Sequence, residues 1–233
     1  MGPLPRRAAR VIRNALAWRD TIRLVEDSYP WRNTRSPYPI LVAEMLLRKT
    51  TAGQVVGVFD ELMLRYPTPE KLAEARVGTL ATLLRDLGLS GKRSVALKQV
   101  GKLLAERHGG VVPSDKTVLE SLPHVGDYTA SCVRVFGHGL TDVLLDSNTI
   151  RLYCRLLGLQ RPRDPRRCPE IRSLSLAMAR AAGNPARFNL AMLDLGRTTC
   201  TARKPACNLC PLRRDCHEVH QRARARRSTT RSS

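Results

Sequence analysis

Four cysteines near the C-terminal end, Cys200-x6-Cys207-x2-Cys210-x5-Cys216, constrain this chain more than any other feature. An apolar pattern can be met by many folds, but four thiols this close in sequence must converge on one metal centre or remain free. Structural zinc more often joins two C-x2–4-C knuckles across a longer loop, and only Cys207 and Cys210 form such a knuckle here. The spacing therefore favours an iron–sulfur cluster over zinc, with zinc and free thiols left as alternatives. The other three of the seven cysteines are scattered, and residues Met1 to Arg7 contain no apolar export segment. Reduced thiols are then expected, not a disulfide framework. Cys132 and Cys154 lie in apolar helical contexts and read as small buried hydrophobes, while Cys168, in a Pro/Arg-rich loop, gives no signal. The loop between Cys200 and Cys207 carries Arg203 and Lys204, so a phosphate-facing surface held rigid by the metal is expected there.

Charge narrows the partner. Of 233 residues, 40 are Lys or Arg and 20 are Asp or Glu, a formal charge of +20. Most of the cations are arginines, whose planar guanidinium suits bidentate phosphate recognition. A polyanionic partner follows, and nucleic acid comes before a membrane because no amphipathic anchor is evident. No run approaches the roughly 18 apolar residues of a membrane span, and Glu44 interrupts the best candidate, Ile40 to Leu47. An apolar content of 42% excludes a wholly disordered chain.

Apolar residues recur at helical spacing almost throughout: Leu41, Met45 and Leu46; Val55, Val58, Phe59 and Leu62; Leu80, Leu83, Leu84 and Leu87; Val100, Leu103 and Leu104. Short turns at residues 66–69, 88–91, 108–110 and 137–139 separate them. Many short helices with short connections predict an all-α fold, an orthogonal helical bundle of two lobes. The Arg/Ser/Thr-rich end, residues 217–233, reads as a basic, disordered tail available to phosphates.

Three further features carry chemistry. Ser121-Leu122-Pro123-His124-Val125-Gly126-Asp127-Tyr128-Thr129-Ala130 has helix–hairpin–helix grammar, with Ser114 as the expected cap of the first helix and a second helix beginning after Gly126. Such a hairpin points backbone N–H groups at a DNA phosphate; the bland alternative is an ordinary packing corner. The run Val143-Leu144-Leu145 delivers Asp146 to the start of a helix, where it is either a catalytic carboxylate or a plain N-cap. Glu44 sits inside an apolar helical face, which is costly unless the carboxyl has a task or pairs with an arginine.

Taken in order along residues 20–216, these motifs resemble the helix–hairpin–helix/Gly-Pro-Asp DNA glycosylases of the endonuclease III and MutY type. Within them, Tyr29-Pro30-Trp31-Arg32-Asn33-Thr34-Arg35-Ser36-Pro37-Tyr38 and Ala43-Glu44-Met45-Leu46-Leu47-Arg48-Lys49-Thr50-Thr51 are most similar to the Mig-type thymine/uracil mismatch glycosylases. The resemblance implies a [4Fe–4S] cluster on Cys200, Cys207, Cys210 and Cys216. It also implies a central helical lobe of about 40–140 with its hairpin at 121–130, a second lobe from the N-terminal segment plus 141–199, and a cluster loop at 200–216, after a basic segment at 1–20. Asp146 matches the family's catalytic Asp, which stabilises the oxocarbenium-like sugar and orients water. Tyr128 stands where the bifunctional branch has its Schiff-base lysine, so a monofunctional enzyme with little or no lyase activity is implied. Glu44, with Tyr128, is implied to contact a base flipped from the stack.

DNA contacts are implied for Leu122, His124, Val125, Gly126 and Thr129 of the hairpin and for Arg203 and Lys204. Arg48, Lys49, Leu89, Ser90 and Lys92 are candidates for filling the vacated space in the duplex. One departure stands out: His124 replaces the first glycine of the family hairpin, which is awkward if that position needs positive φ. The expected substrate is thymine or uracil opposite guanine in double-stranded DNA. Adenine opposite guanine or 8-oxoguanine is the alternative, disfavoured because the sequence ends at Ser233 without a second domain and lacks a glutamine-rich run at residues 48–51. A non-catalytic iron–sulfur DNA-binding protein is the reading from another class. A cytoplasmic monomer, nucleoid-associated in a prokaryote, is the remaining expectation.

Overall fold

The computed structural model describes residues 6–160 and 168–229, and among them helices and turns alternate without a strand. Two compact units are present: one is Arg23–Leu140, and the other joins the segment up to Ile22 with the segment from Thr141 onward. Helix α1 (Arg6–Thr21) belongs to the latter.

The Arg23–Leu140 unit holds α2 to α8. Helix α2 (Pro37–Leu46) opens with proline at its first position and is apolar nearly all round, so it becomes the centre of the core. Helix α3 (Ala52–Arg65) starts from a capping box in which the Gln54 amide N–H donates to Thr51 Oγ1 (3.4 Å) and the Thr51 N–H donates to Gln54 Oε1 (3.3 Å). Helices α4 (Pro69–Glu74) and α5 (Val77–Leu83) pack on the long α6 (Ser90–His108). Gly101 allows the α4 crossing, since a Cβ there would lie 2.8 Å from the Ala73 nitrogen. Helix α7 (Lys116–Ser121) is capped by Asp115, whose Oδ1 accepts from the Val118 N–H at 2.9 Å. The expected cap, Ser114, instead offers its carbonyl to Arg134. Helix α8 (Asp127–Cys132) runs into a π-helical turn, Val133–Gly137, and Gly137 abuts Pro37 at the start of α2. Trp31 is buried in this unit, edge-on to Phe59 with ring centroids 5.3 Å apart.

The second unit packs α1 through Val11, Ile12 and Ala15 onto α9 (Ser147–Leu157), α10 (Pro169–Ala181) and α11 (Pro185–Asp194). Residues 6–20 of the expected basic N-terminal segment are thus a packed helix of this unit. Three of its arginines are structural: Arg19 pairs with the buried Asp194 at 2.9 Å, Arg10 pairs with the buried Asp215, and Arg7 donates to the Leu156 and Asp215 carbonyls, both at 2.6 Å. The segment expected to be disordered is also helical, as α12 (His217–Thr229). Alanine and arginine are good helix formers, and Glu218 accepts from Arg222 one turn on (2.9 Å), terms that composition alone does not weigh. Residues 230–233 of that tail lie outside the described residues.

Candidate functional site

The hairpin between α7 and α8 is tight. The Val125 N–H donates to the Leu122 carbonyl at 3.1 Å, and His124 at the apex has φ 63°. The position therefore does require the left-handed conformation that the sequence flagged, and a histidine occupies it at a cost of about 1–2 kcal/mol. Arg48 holds the strained apex by donating Nη1–H to the His124 carbonyl at 2.8 Å. Lys116 fastens the two helices to each other, reaching Asp127 and Ser131 each at 2.8 Å. Gly126 is extended (φ −108°, ψ 179°), and a Cβ there would meet nothing within 4 Å. Nothing among the described residues demands glycine at that place. Leu122, Val125 and Thr129 are buried. Leu122 and Val125 fill the core, so these hairpin positions offer a ligand their backbone and not their side chains, in line with the backbone N–H groups that the motif points outward.

Backbone strain marks a second feature of the same unit. Among the described residues, the non-glycine positions with positive φ are Lys49 (56°), Leu89 (51°) and His124 (63°), and all three border one cleft of about 180 Å³. Arg48 and Lys92 line it too, so the structure gathers most of the candidate space-filling residues at one place, with Leu89 58% exposed and Ser90 opening α6 beside it. Strain of this kind persists only where surrounding structure enforces it. Here the enforcing group is Arg93, buried, which donates to the carbonyls of Gly88 (2.9 Å), Leu46 (2.9 Å), Met45 (3.3 Å) and Arg48 (2.7 Å) and to the Thr50 hydroxyl. One guanidinium thus binds the end of α2 to the Gly88 turn. Nothing local in the sequence marks this bracing role of Arg93, since one arginine on a helix looks like another.

Glu44 projects from α2 as the polar interruption of an apolar helix. Burial pushes its carboxyl up to about 7, against the opposing influence of a hydrogen bond from Cys132 and of the Arg32 charge. Cys132 is fully buried, one helical turn after Tyr128 on α8.

In the other unit, Asp146 is the N-cap of α9, and its carboxylate is anchored mainly through Oδ1, with a single donor on Oδ2. Oδ1 accepts from the Asn148 N–H (2.9 Å), the Thr149 N–H (2.7 Å) and the Thr149 hydroxyl (3.1 Å); Oδ2 accepts from the Asn148 amide nitrogen (3.0 Å). The Asp146 N–H donates back to Thr149 Oγ1 at 2.9 Å. This geometry makes Asp146 a true cap and fixes one carboxylate in a single orientation. Gly196 lets the turn come close, since a Cβ there would lie 3.0 Å from the Asn148 carbonyl atoms. Arg151 continues the lattice, donating to Asn148 Oδ1 (3.1 Å) and to the Cys200 carbonyl (2.8 Å).

Cys200 follows the π-helical turn Leu195–Thr199 and opens the cysteine loop. Cys200, Cys207, Cys210 and Cys216 border one small pocket of about 20 Å³. Among the described residues no three His, Cys, Asp or Glu side chains are placed to hold a single metal ion. Burial and the neighbouring thiols push Cys210 up to about 11 and raise Cys216 as well, so four thiolates here call for a strongly cationic centre. The donor set fits a polynuclear iron–sulfur group better than one zinc ion. Arg155 shapes the loop by donating to Cys200 Sγ (3.4 Å) and to the carbonyls of Thr201 (2.8 Å) and Ala202 (2.9 Å). Thr201 closes it with a bond to the Lys204 carbonyl at 2.7 Å, leaving Arg203 and Lys204 exposed as expected.

Residues 200–216 match the model of the iron–sulfur binding domain of endonuclease III. A thymine-DNA glycosylase of Aeropyrum pernix is 44% identical over 193 residues, covering 82% of this chain and 86% of that protein. A thymine/uracil-DNA glycosylase of Pyrobaculum aerophilum is 39% identical, covering 80% and 82%. An adenine DNA glycosylase of Mycobacterium tuberculosis is 34% identical, covering 85% of this chain and 64% of that protein. The solved structure of a thermostable thymine-DNA glycosylase superposes with a TM-score of 0.86 at 28% identity, over 92% of this chain and 97% of that one. Residues 42–174, the stretch that carries the hairpin, Glu44 and Asp146, match the model of the HhH-GPD superfamily base excision DNA repair protein, and the chain belongs to that family.

Proposed function

We propose that the protein is a monofunctional DNA glycosylase that hydrolyses the N-glycosidic bond of a flipped thymine or uracil opposite guanine. The observation that carries the hydrolytic part is the Asp146 carboxylate, held in one orientation by four donors at the start of α9. A fixed negative charge stabilises the positive charge that grows on the sugar as the base departs, and it needs no reorganisation to do so. Asp146 can also hold the attacking water. Glu44, whose carboxyl is pushed to about 7, keeps a proton near neutrality and can hand it, or a hydrogen bond, to the leaving base. Tyr128 offers the base a ring and a hydroxyl but no amine, so no Schiff base forms at that position; the base departs and the abasic sugar stays in an unbroken strand. Gly126 and its neighbours present backbone N–H groups to a phosphate, while Arg48, Lys49, Leu89 and Lys92 meet the gap left in the duplex.

The four cysteines hold a [4Fe–4S] cluster in this reading, which supplies a rigid, non-reacting brace for the loop that carries Arg203 and Lys204. The substrate rests on the relatives named thymine- and thymine/uracil-DNA glycosylase. Adenine in a mispair is the second reading, favoured by the mycobacterial relative. Asp146→Asn tests the catalytic assignment on a duplex with one T·G pair. Retained binding with base release lowered by a factor on the order of 10³ is expected; release at the wild-type rate would remove Asp146 from the mechanism.

A further inference from the structure

Helix α12 has thirteen residues, and its sequence, His-Glu-Val-His-Gln-Arg-Ala-Arg-Ala-Arg-Arg-Ser-Thr, contains no apolar stripe to bury. Isolated helices shorter than about 12–15 residues are marginal in water, so something at its start must hold it. The start is built against the cysteine loop. The N–H groups of Glu218 and Val219 donate to the Cys216 sulfur, and the His220 N–H donates to the Cys216 carbonyl at 3.3 Å. The His217 ring covers Gly158, where a Cβ would lie 2.6 Å from Nδ1. His220 Nε2 lies 3.0 Å from the Arg214 carbonyl oxygen. Glu218, Val219 and Arg222 border the same pocket as the four thiols. Beyond that first turn the helix is cationic: Arg222 and Arg224 are exposed, Arg213 and Arg214 are exposed in the preceding turn, and the sequence continues with Arg226 and Arg227.

We propose that α12 is a binding surface for the phosphate backbone of duplex DNA, capped at its N-terminus by Cys216, so that a cluster on the four cysteines and this basic helix stabilise each other. The inference rests on the reading that those cysteines hold a cluster. A sulfur kept as thiolate by iron is a better acceptor for the two amides than a thiol is, and its negative charge complements the positive end of the helix dipole. Linkage then runs both ways: whatever loosens α12 must loosen the cluster. Glu218 is the helix's only carboxylate and is paired with Arg222, so the face left open suits a polyanion without base readout.

The test uses the full-length, cluster-loaded protein and an undamaged duplex as probe. Arg224→Ala should leave the visible absorbance of the cluster unchanged and flatten the slope of log K against log[salt] by about one, at roughly 0.9 per phosphate. An unchanged slope would overturn the DNA surface. Ala223→Pro, which breaks the turn reaching back to Val219, should speed the loss of cluster absorbance to a chelator severalfold. A loss rate equal to the wild type's would overturn the capping role. A wild-type protein that takes up no iron overturns the cluster reading and the mutual stabilisation with it, and the salt slope then decides the surface alone.

Discussion

Glu44→Gln separates the electrostatic cost of Glu44 from its chemical use. In the folded chain the carboxyl titrates near 7, against 4.5 for an unperturbed group, chiefly because it is desolvated. The native state binds that proton more tightly than the unfolded chain does, so the stability that Glu44 contributes is fully present below about 4.5 and is lost as pH rises through about 7. At roughly 1.36 kcal/mol for each pH unit between the two values, the loss is at most about 3 kcal/mol, and less where solvent reaches the partly exposed residue. A neutral glutamine keeps the size and cannot ionise. Urea unfolding of wild type and E44Q at pH 5, 6, 7 and 8 should give curves that nearly coincide at the acid end and diverge upward, with the variant more stable at pH 8. Base release by the wild type should decline above about pH 7, and E44Q should be slow at every pH without that limb. Stability curves that stay parallel across the range would refute the burial argument. A normal rate in E44Q would refute the role as proton donor.

Three further outcomes follow from the geometry. Arg93→Met leaves carbonyls of Met45, Leu46 and Arg48 without their donor, and should cost on the order of 3 kcal/mol in thermal or urea unfolding while weakening affinity for a mispaired duplex. Gly196→Ala presses a methyl against the Asn148 backbone at 3.0 Å and should displace Asp146, cutting single-turnover base release by 10-fold or more, in the range of about 10² for a 1 Å misplacement, with DNA affinity little changed. Wild-type protein incubated with a mispaired duplex and borohydride should form no covalent adduct, because Tyr128 has no amine; a trapped complex on a denaturing gel would contradict the monofunctional reading.

What could be read from the sequence was whatever has a local signal. Helical periodicity, the Asp146 cap and the hairpin punctuation each depend on neighbours within a few positions, and each is present in the fold. The strained apex was legible as well, since a histidine where glycine is usual poses the question that His124 at φ 63° answers. Long-range roles were not legible. Arg93, Arg151 and Arg155 each satisfy distant carbonyls, yet in a chain with 40 cations nothing local separates a buried strut from a solvated side chain. Burial is not written in the motif either: Leu122, Val125 and Thr129 of the hairpin pack their side chains beneath it. Composition misled at the end of the chain, where a low-complexity basic stretch forms α12 once Cys216 anchors its first turn.

The central claim, removal of a mispaired pyrimidine without strand cleavage, is tested most directly by single-turnover reactions on labelled duplexes. Each duplex would hold one T·G, U·G, A·G, A·8-oxoguanine or T·A pair, with products read with and without hot alkali. Alkali-dependent breaks at T·G and U·G, with T·A spared, are expected. Cutting confined to the adenine mispairs, or breaks that appear without alkali, would contradict it.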